Sequence, residues 1–315
     1  MAAPSRSAGV ALRRCLASAP PGTGLNHRVV PLASRLARPT AATTTGTQYR
    51  QQQQRCHSNY SSVNPDEVSH FTELAAEWWD PYGSSRILHY MNPLRHDFIR
   101  ACLRSSDSAP LPADRASDRT LTYLDIGCGG GIFAESAARL PSTRHVTAID
   151  PTPSVLAVAK AHARKDPALA TKLTYKQTSI EQLQVPPEGE GYDVVSLFEV
   201  IEHIDDPAAF LERVRPFVKP GGWLVMSTIA RTWVSWFTTN LIAEDILHIV
   251  PPGTHDWNKY INEEELQRYF MDKGWDSPKV MGVVYVPGLG WKEVRGSEKV
   301  GNYFFAVRRE PLVQQ

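Results

Sequence analysis

Asp125-Ile126-Gly127-Cys128-Gly129-Gly130-Gly131 is the stretch that decides how this chain folds. It follows a short apolar run at 121–126 and opens a helical stretch at 131–140, the setting in which backbone amides can touch a small ligand. Glycine at 127 and 129 lets the chain turn tightly with no Cβ in the ligand's way. A dinucleotide-binding fingerprint counted from Gly127 needs its third glycine at 132, where Ile132 stands instead. The spacing is therefore GxGxG. A glycine loop alone can be a structural turn, so the second strand must decide. That strand, at 146–149, ends in Asp150, where an acid can accept hydrogen bonds from both hydroxyls of a ribose. Asp150 before Pro151 also fits a helix cap, and the two roles are compatible.

Loop and acid together suit S-adenosylmethionine, a ligand with a ribose, a carboxylate, an amine and a sulfonium. A cationic side chain should then face the carboxylate. Ser179-Ile180-Glu181, just past the third strand, is a weaker candidate for the adenine edge. Working outward, apolar runs at 121–126, 146–149, 173–177, 193–198 and 223–227 alternate with helical patterns at 131–140, 153–165 and 207–217. Strands spaced by helices form βαβ units and a parallel sheet, so the fold class is α/β, doubly wound and Rossmann-like. Lys219-Pro220-Gly221-Gly222 closes the third helix, and the chain ends with a helix at 262–273 and two strands at 280–286 and 303–308. Upstream, Asn64-Pro65-Asp66-Glu67 offers an N-cap, a first-turn proline and two acids, with Val68, Phe71, Ala75 and Trp78 as the apolar stripe behind them. Asn92-Pro93 repeats the start signal, and 105–119 reads as a polar loop.

The net charge of +1 over 315 residues conceals an asymmetry. Residues 1–65 hold eight Arg, no Lys and no acid, so the remainder has 34 − 8 = 26 basic against 33 acidic residues, a balance of −7. A domain that acidic is a poor partner for nucleic acid. The Arg-, Ser-, Ala- and Thr-rich start has the composition of a mitochondrial transit peptide and lacks a secretory apolar core. We divide the chain into a presequence at 1–62 and a catalytic domain at 63–310. A disordered basic arm is the alternative reading of the presequence, and the glutamine run at 51–54 suits it. The four cysteines show no CxxC or Cys/His zinc spacing.

Glu199, Glu202 and His203 stand at i, i+3 and i+4, so a helical turn after the fourth strand would put all three on one face. That is the end of the sheet where doubly wound folds bind ligands. Carboxylates suit a hard ion such as magnesium, whereas His203 suits a softer metal or a general base. The apolar insertion at 230–255 includes Trp233, Trp236 and Phe237 and reads as membrane or prenyl-tail contact, or else as a covered core helix.

Ala76-Glu77-Trp78-Trp79-Asp80, His89-Tyr90-Met91-Asn92-Pro93-Leu94-Arg95, the glycine loop, Phe198-Glu199-Val200-Ile201-Glu202-His203 and Pro252-Gly253-Thr254-His255-Asp256 together resemble the ubiquinone-biosynthesis O-methyltransferase family in its mitochondrial form. The likeness runs from about residue 63 to 308. It implies a class I S-adenosylmethionine-dependent methyltransferase with N-terminal helices and a final antiparallel strand. It further implies Arg95 as partner of the cofactor carboxylate, Gly127 and Gly129 as loop contacts, Asp150 as ribose acceptor and Phe198 at the cofactor's border. The implied metal is Mg2+ at Glu199, Glu202 and His203. The implied acceptors are catechol hydroxyls of polyprenyl-dihydroxybenzoate and demethylubiquinol, with another small phenol or acid as the alternative. Such a substrate places the enzyme peripherally on the matrix side of the mitochondrial inner membrane, where a ubiquinone-synthesis complex is a further expected partner.

Overall fold

Residues 60–83, 85–105, 120–231 and 259–311 are described by a computed structural model. The presequence up to residue 59, the loop at 106–119 and the apolar segment at 232–258, with Trp233, Trp236 and Phe237, lie outside them.

Eight strands form one sheet in the order β3-β2-β1-β4-β5-β8-β6-β7. They are β1 Leu121–Ile126, β2 Thr143–Asp150, β3 Leu173–Gln177, β4 Tyr192–Phe198, β5 Val218–Ile229, β6 Trp275–Val286, β7 Gly290–Glu293 and β8 Asn302–Arg309. The first five pair in parallel, while β8 runs antiparallel between β5 and β6. Every residue of β1 is buried, as a central strand covered on both faces requires. Alternate residues serve opposite layers: Leu124 and Ile126 pack with Phe210 and Phe270, whereas Leu121 and Tyr123 pack with Phe98, Phe133 and Leu156.

The helices are α1 Pro65–Leu74, α2 Arg86–Ser105, α3 Ile132–Ala138, α4 Pro153–Ala163, α5 Pro207–Val214 and α6 Glu263–Asp272. Asn64 caps α1 as expected, its side chain accepting from the Asp66 amide at 2.9 Å. The start signal expected at Asn92-Pro93 is overturned, because α2 begins at Arg86 and carries Pro93 inside it. Tertiary contacts hold the turns before the proline. Trp291 Nε1 donates to Ile87 O at 2.9 Å, His89 Nε2 to Trp78 O at 2.9 Å, and Met91 is buried. The Asn92 amide is drawn sideways to Ser136 Oγ at 2.8 Å rather than capping a helix.

Several strands exceed their sequence patterns, β5 and β6 the most, each starting five residues early. Lys219-Pro220-Gly221-Gly222 is part of β5, absorbed at the irregularity where Tyr192 pairs with Val218. The β6–β7 hairpin, with β7 unforeseen, turns through Gly288 and Gly290 at φ 79° and 74°. Because β2 and β3 lie to one side of β1 and β4 and β5 to the other, the chain reverses direction between β1 and β4. The C-terminal ends of β1, β2 and β4 open there, at the switch point where such sheets bind ligands.

Candidate active site

Gly127, Gly129 and Gly131 all adopt left-handed φ, at 68°, 52° and 89°. Only glycine holds that geometry without strain, and the space is closed as well: a Cβ at Gly127 would meet Val200 Cγ2 at 2.6 Å. The loop hangs from the second strand, since the amides of Gly127 and Cys128 both donate to Ile149 O, at 2.9 and 3.0 Å. Asp150 adds a third tie. Its Oδ2 accepts from the Gly129 amide at 3.0 Å and its Oδ1 from the Thr152 amide at 2.8 Å. The acid is thus part of the loop's scaffold and closes the turn before α4, whose N-cap is Thr152 rather than Asp150. Burial raises its pKa above the usual carboxylate value, and hydrogen bonds from the two amides and the Thr152 side chain oppose the rise.

Arg95 is buried with its guanidinium 4.7 Å from the centroid of the Phe198 ring. Burial lowers its pKa, and the charges of Glu199, Asp125 and Glu202 counteract this. Among the described residues nothing hydrogen-bonds its Nε. A buried cation with an unsatisfied donor suits an anionic ligand.

Glu199, Glu202 and His203 do not share a helical face. Glu199 sits at φ 56°, outside the short 3₁₀ turn of Ile201–His203, and each side chain finds its own partner. Glu199 Oε1 accepts from Ser227 Oγ at 2.6 Å, and Glu202 Oε2 accepts from Thr228 Oγ1 at 3.1 Å. His203 Nδ1 donates to Glu67 Oε2 on α1 at 2.9 Å. Burial, then the charge of Glu199, push the Glu202 carboxyl well above its ordinary range. Burial would raise Glu67 too, but His203 and Lys259 hold its pKa below the usual value. Two carboxylates lining one cavity, one of them driven toward neutrality, form an oxygen donor set that a divalent cation would relieve. No group of three His, Cys, Asp or Glu side chains among the described residues is placed to hold a metal ion.

One cavity of about 580 Å³ joins the glycine loop to the Glu199–His203 turn, and Arg95 lies behind its Phe198 wall rather than in its lining. Gly127, Gly129 and Asp150 line it beside Ser179 and Ile180, and Phe198, Glu199, Glu202 and His203 line it further along. Glu181 is turned elsewhere, its Oε1 accepting from the Ser62 amide at 3.2 Å.

A methyltransferase-domain family model matches residues 87–277. The chain is 40% identical over 288 residues to the mitochondrial ubiquinone biosynthesis O-methyltransferase of Candida albicans, covering 79% of this chain and 86% of that protein. The Schizosaccharomyces pombe counterpart is 41% identical over 262 residues, covering 82% and 89%. This chain belongs to the ubiquinone biosynthesis O-methyltransferase family. A bacterial member, from Cereibacter sphaeroides, is 38% identical over 235 residues, 73% of this chain and 90% of that one. As a methyltransferase of this family it uses S-adenosylmethionine as methyl donor, so the GxGxG loop and Asp150 have a ligand of the right chemistry.

Two contributors to the site escaped sequence reasoning. Glu67 reads there only as a first-turn acid, yet it pairs with His203 across 136 positions. Trp78 reads as a stripe residue, but its ring lies against Gly129 and Gly130, where any Cβ would collide with it. The Trp-Trp-Asp segment was the available signal, without anything to say what it touches.

Proposed function

We propose that this chain methylates catechol hydroxyls in ubiquinone biosynthesis, on polyprenyl-dihydroxybenzoate and again on demethylubiquinol. The observation that carries the reading is the single cavity with Gly127, Gly129 and Asp150 in one part and Glu199, Glu202 and His203 in another. In this reading the loop backbone meets the methyl donor, Asp150 accepts its ribose hydroxyls, Phe198 borders it, and Arg95 faces its carboxylate.

A phenolic hydroxyl has a pKa of about 10, so at neutral pH it must lose its proton to become a good nucleophile. The Glu67 carboxylate keeps a proton on His203 Nδ1, which leaves Nε2 as the basic nitrogen able to take the hydroxyl proton. The acceptor oxygen then attacks the sulfonium methyl in line; the carbon–sulfur bond breaks, its electron pair returns to sulfur, and a neutral thioether leaves. Positioning supplies much of the barrier reduction, and no protein nucleophile takes part. Glu199 and Glu202 would hold a Mg2+ ion, with His203 Nε2 as the further donor if it does not serve as the base, its Nδ1–H staying on Glu67. When bound, the ion would lower the pKa of the catechol hydroxyl.

The polyprenyl tail of such a substrate resides in a bilayer, which supports a peripheral protein on the matrix side of the mitochondrial inner membrane, beside other ubiquinone-synthesis enzymes. The mitochondrial designation of the fungal relatives agrees with this, and no helix among the described residues is long and apolar enough to cross a membrane. The test is methyl transfer from labelled S-adenosylmethionine to short-chain catechols, with and without chelator. Catechol methylation that chelator suppresses is expected; labelling of another phenol or acid but no catechol would overturn the assignment.

A further inference from the structure

Trp79 has no part in the chemistry described so far, yet it is tied directly to the glycine loop. Its Nε1 donates to Gly130 O at 2.8 Å. Its ring stacks on His162 of α4 with centroids 3.4 Å apart and planes within 6°, and the His89 ring meets it edge-on at 4.9 Å. His162 Nδ1 in turn donates to the Glu135 carboxylate, at 2.9 and 3.0 Å to its two oxygens. Glu135 is fully buried, is also held by Arg139 at 2.9 Å, and lies on α3, the helix that the loop opens. The circuit closes where the Glu135 amide donates to Gly131 O at 2.9 Å.

We infer that Trp79 is a positioning residue for S-adenosylmethionine, braced by His162 and Glu135 so that the backbone of residues 127–131 holds its ligand-binding geometry before the cofactor arrives. Strand β2 and Asp150 fix only the amides of Gly127, Cys128 and Gly129. The carbonyl of Gly130 is fixed by the indole, while the neighbouring Trp78 covers the loop on the cavity side. A loop anchored at both ends loses less freedom on binding, so the brace acts on cofactor affinity. The inference rests on placing the cofactor at this loop.

The experiment uses the full mature enzyme and measures S-adenosylhomocysteine Kd by calorimetry together with KM for each substrate. Trp79→Phe keeps a ring to stack on His162 and removes only the N–H. Loss of that one hydrogen bond should raise the Kd and the KM for S-adenosylmethionine by about 3- to 12-fold. Both kcat at saturating cofactor and the catechol KM should stay within about 2-fold, a split that mere loss of folded enzyme does not produce. His162→Ala, at a side chain 25% exposed, is the variant that tests the brace if Trp79→Phe folds poorly. It should shift the same constant in the same direction, and the two changes together should be less than additive. Unchanged S-adenosylhomocysteine affinity in both variants, with only a lower melting temperature, would overturn the inference. Asp150→Ala run alongside separates the premise: if that variant also binds normally, the placement of the cofactor fails first.

Discussion

Asp150→Asn, set beside Asp150→Ala, tests whether this carboxylate receives the ribose. A carboxylate has about four lone-pair sites, and the structure uses three, for the Gly129 amide, the Thr152 amide and the Thr152 hydroxyl. The remaining site takes one ribose hydroxyl without releasing the loop, and a second can displace the Thr152 hydroxyl while both amide bonds stay. Asparagine replaces one acceptor oxygen with a donor, so one ribose bond is lost and one amide faces an NH2 group. A hydrogen bond to a charged acceptor nets about 1.5–3 kcal/mol, which predicts S-adenosylhomocysteine binding weaker by roughly 10- to 150-fold. Alanine removes every acceptor and should weaken binding more, with a further loss of stability because the buried Gly129 amide is left unpaired. Calorimetry with S-adenosylhomocysteine and its 2′-deoxy analogue reads the ribose contribution directly. The wild-type enzyme should prefer the ribose form, and the preference should shrink in Asp150→Asn. If that preference persists undiminished in folded Asp150→Asn protein, Asp150 supports the loop and does not touch the ribose.

Asp125 gives a pH prediction. Burial pushes its carboxyl up to about 7, with Ser196 Oγ donating to it at 2.6 Å as an opposing effect. The folded state thus binds this proton more tightly than the unfolded state does, and the corresponding stability is complete below the ordinary value of 3.8 and lost as pH rises through about 7. The whole effect is on the order of 4 kcal/mol, so the stability of Asp125→Asn relative to wild type should climb between pH 4 and 8 in urea titrations, and a constant difference would refute it. Glu199→Gln and Glu202→Gln should each lower Mg2+ affinity, with partial rescue by excess metal; full activity in chelated, metal-free enzyme would remove the metal from the mechanism. A fusion of residues 1–65 to a fluorescent reporter should enter mitochondria, whereas a diffuse cytosolic signal would mark the segment as a basic arm. Replacing Trp233, Trp236 and Phe237 by Ser should reduce liposome flotation while sparing activity on a water-soluble catechol, and loss of the fold instead would make them core.

Much of the frame was legible in the chain because its signals are local. The glycine spacing from Gly127, the acid at Asp150 and the alternation of apolar runs with helical stripes each arise within a few residues, and β1 and β3 fall at their expected bounds. Long-range contact decided the rest. Helix α2 continues through Pro93 because Trp291 and Met91 hold its first turns, and Lys219-Pro220-Gly221-Gly222 joins β5 because β4 lies alongside it. Likewise the register of Glu199, Glu202 and His203 suggested a shared helical face, but Glu199 stands outside the 3₁₀ turn and Ser227, Thr228 and Glu67 each take one of the three side chains. The sequence by itself determined the strand–loop–helix unit and the type of ligand it can receive, since backbone sterics and hydrophobic period act over one or two turns. Only the tertiary structure decided that Trp78 and Trp79 lie on the glycine loop and that Glu67 holds His203, because those pairs meet only after the sheet has assembled.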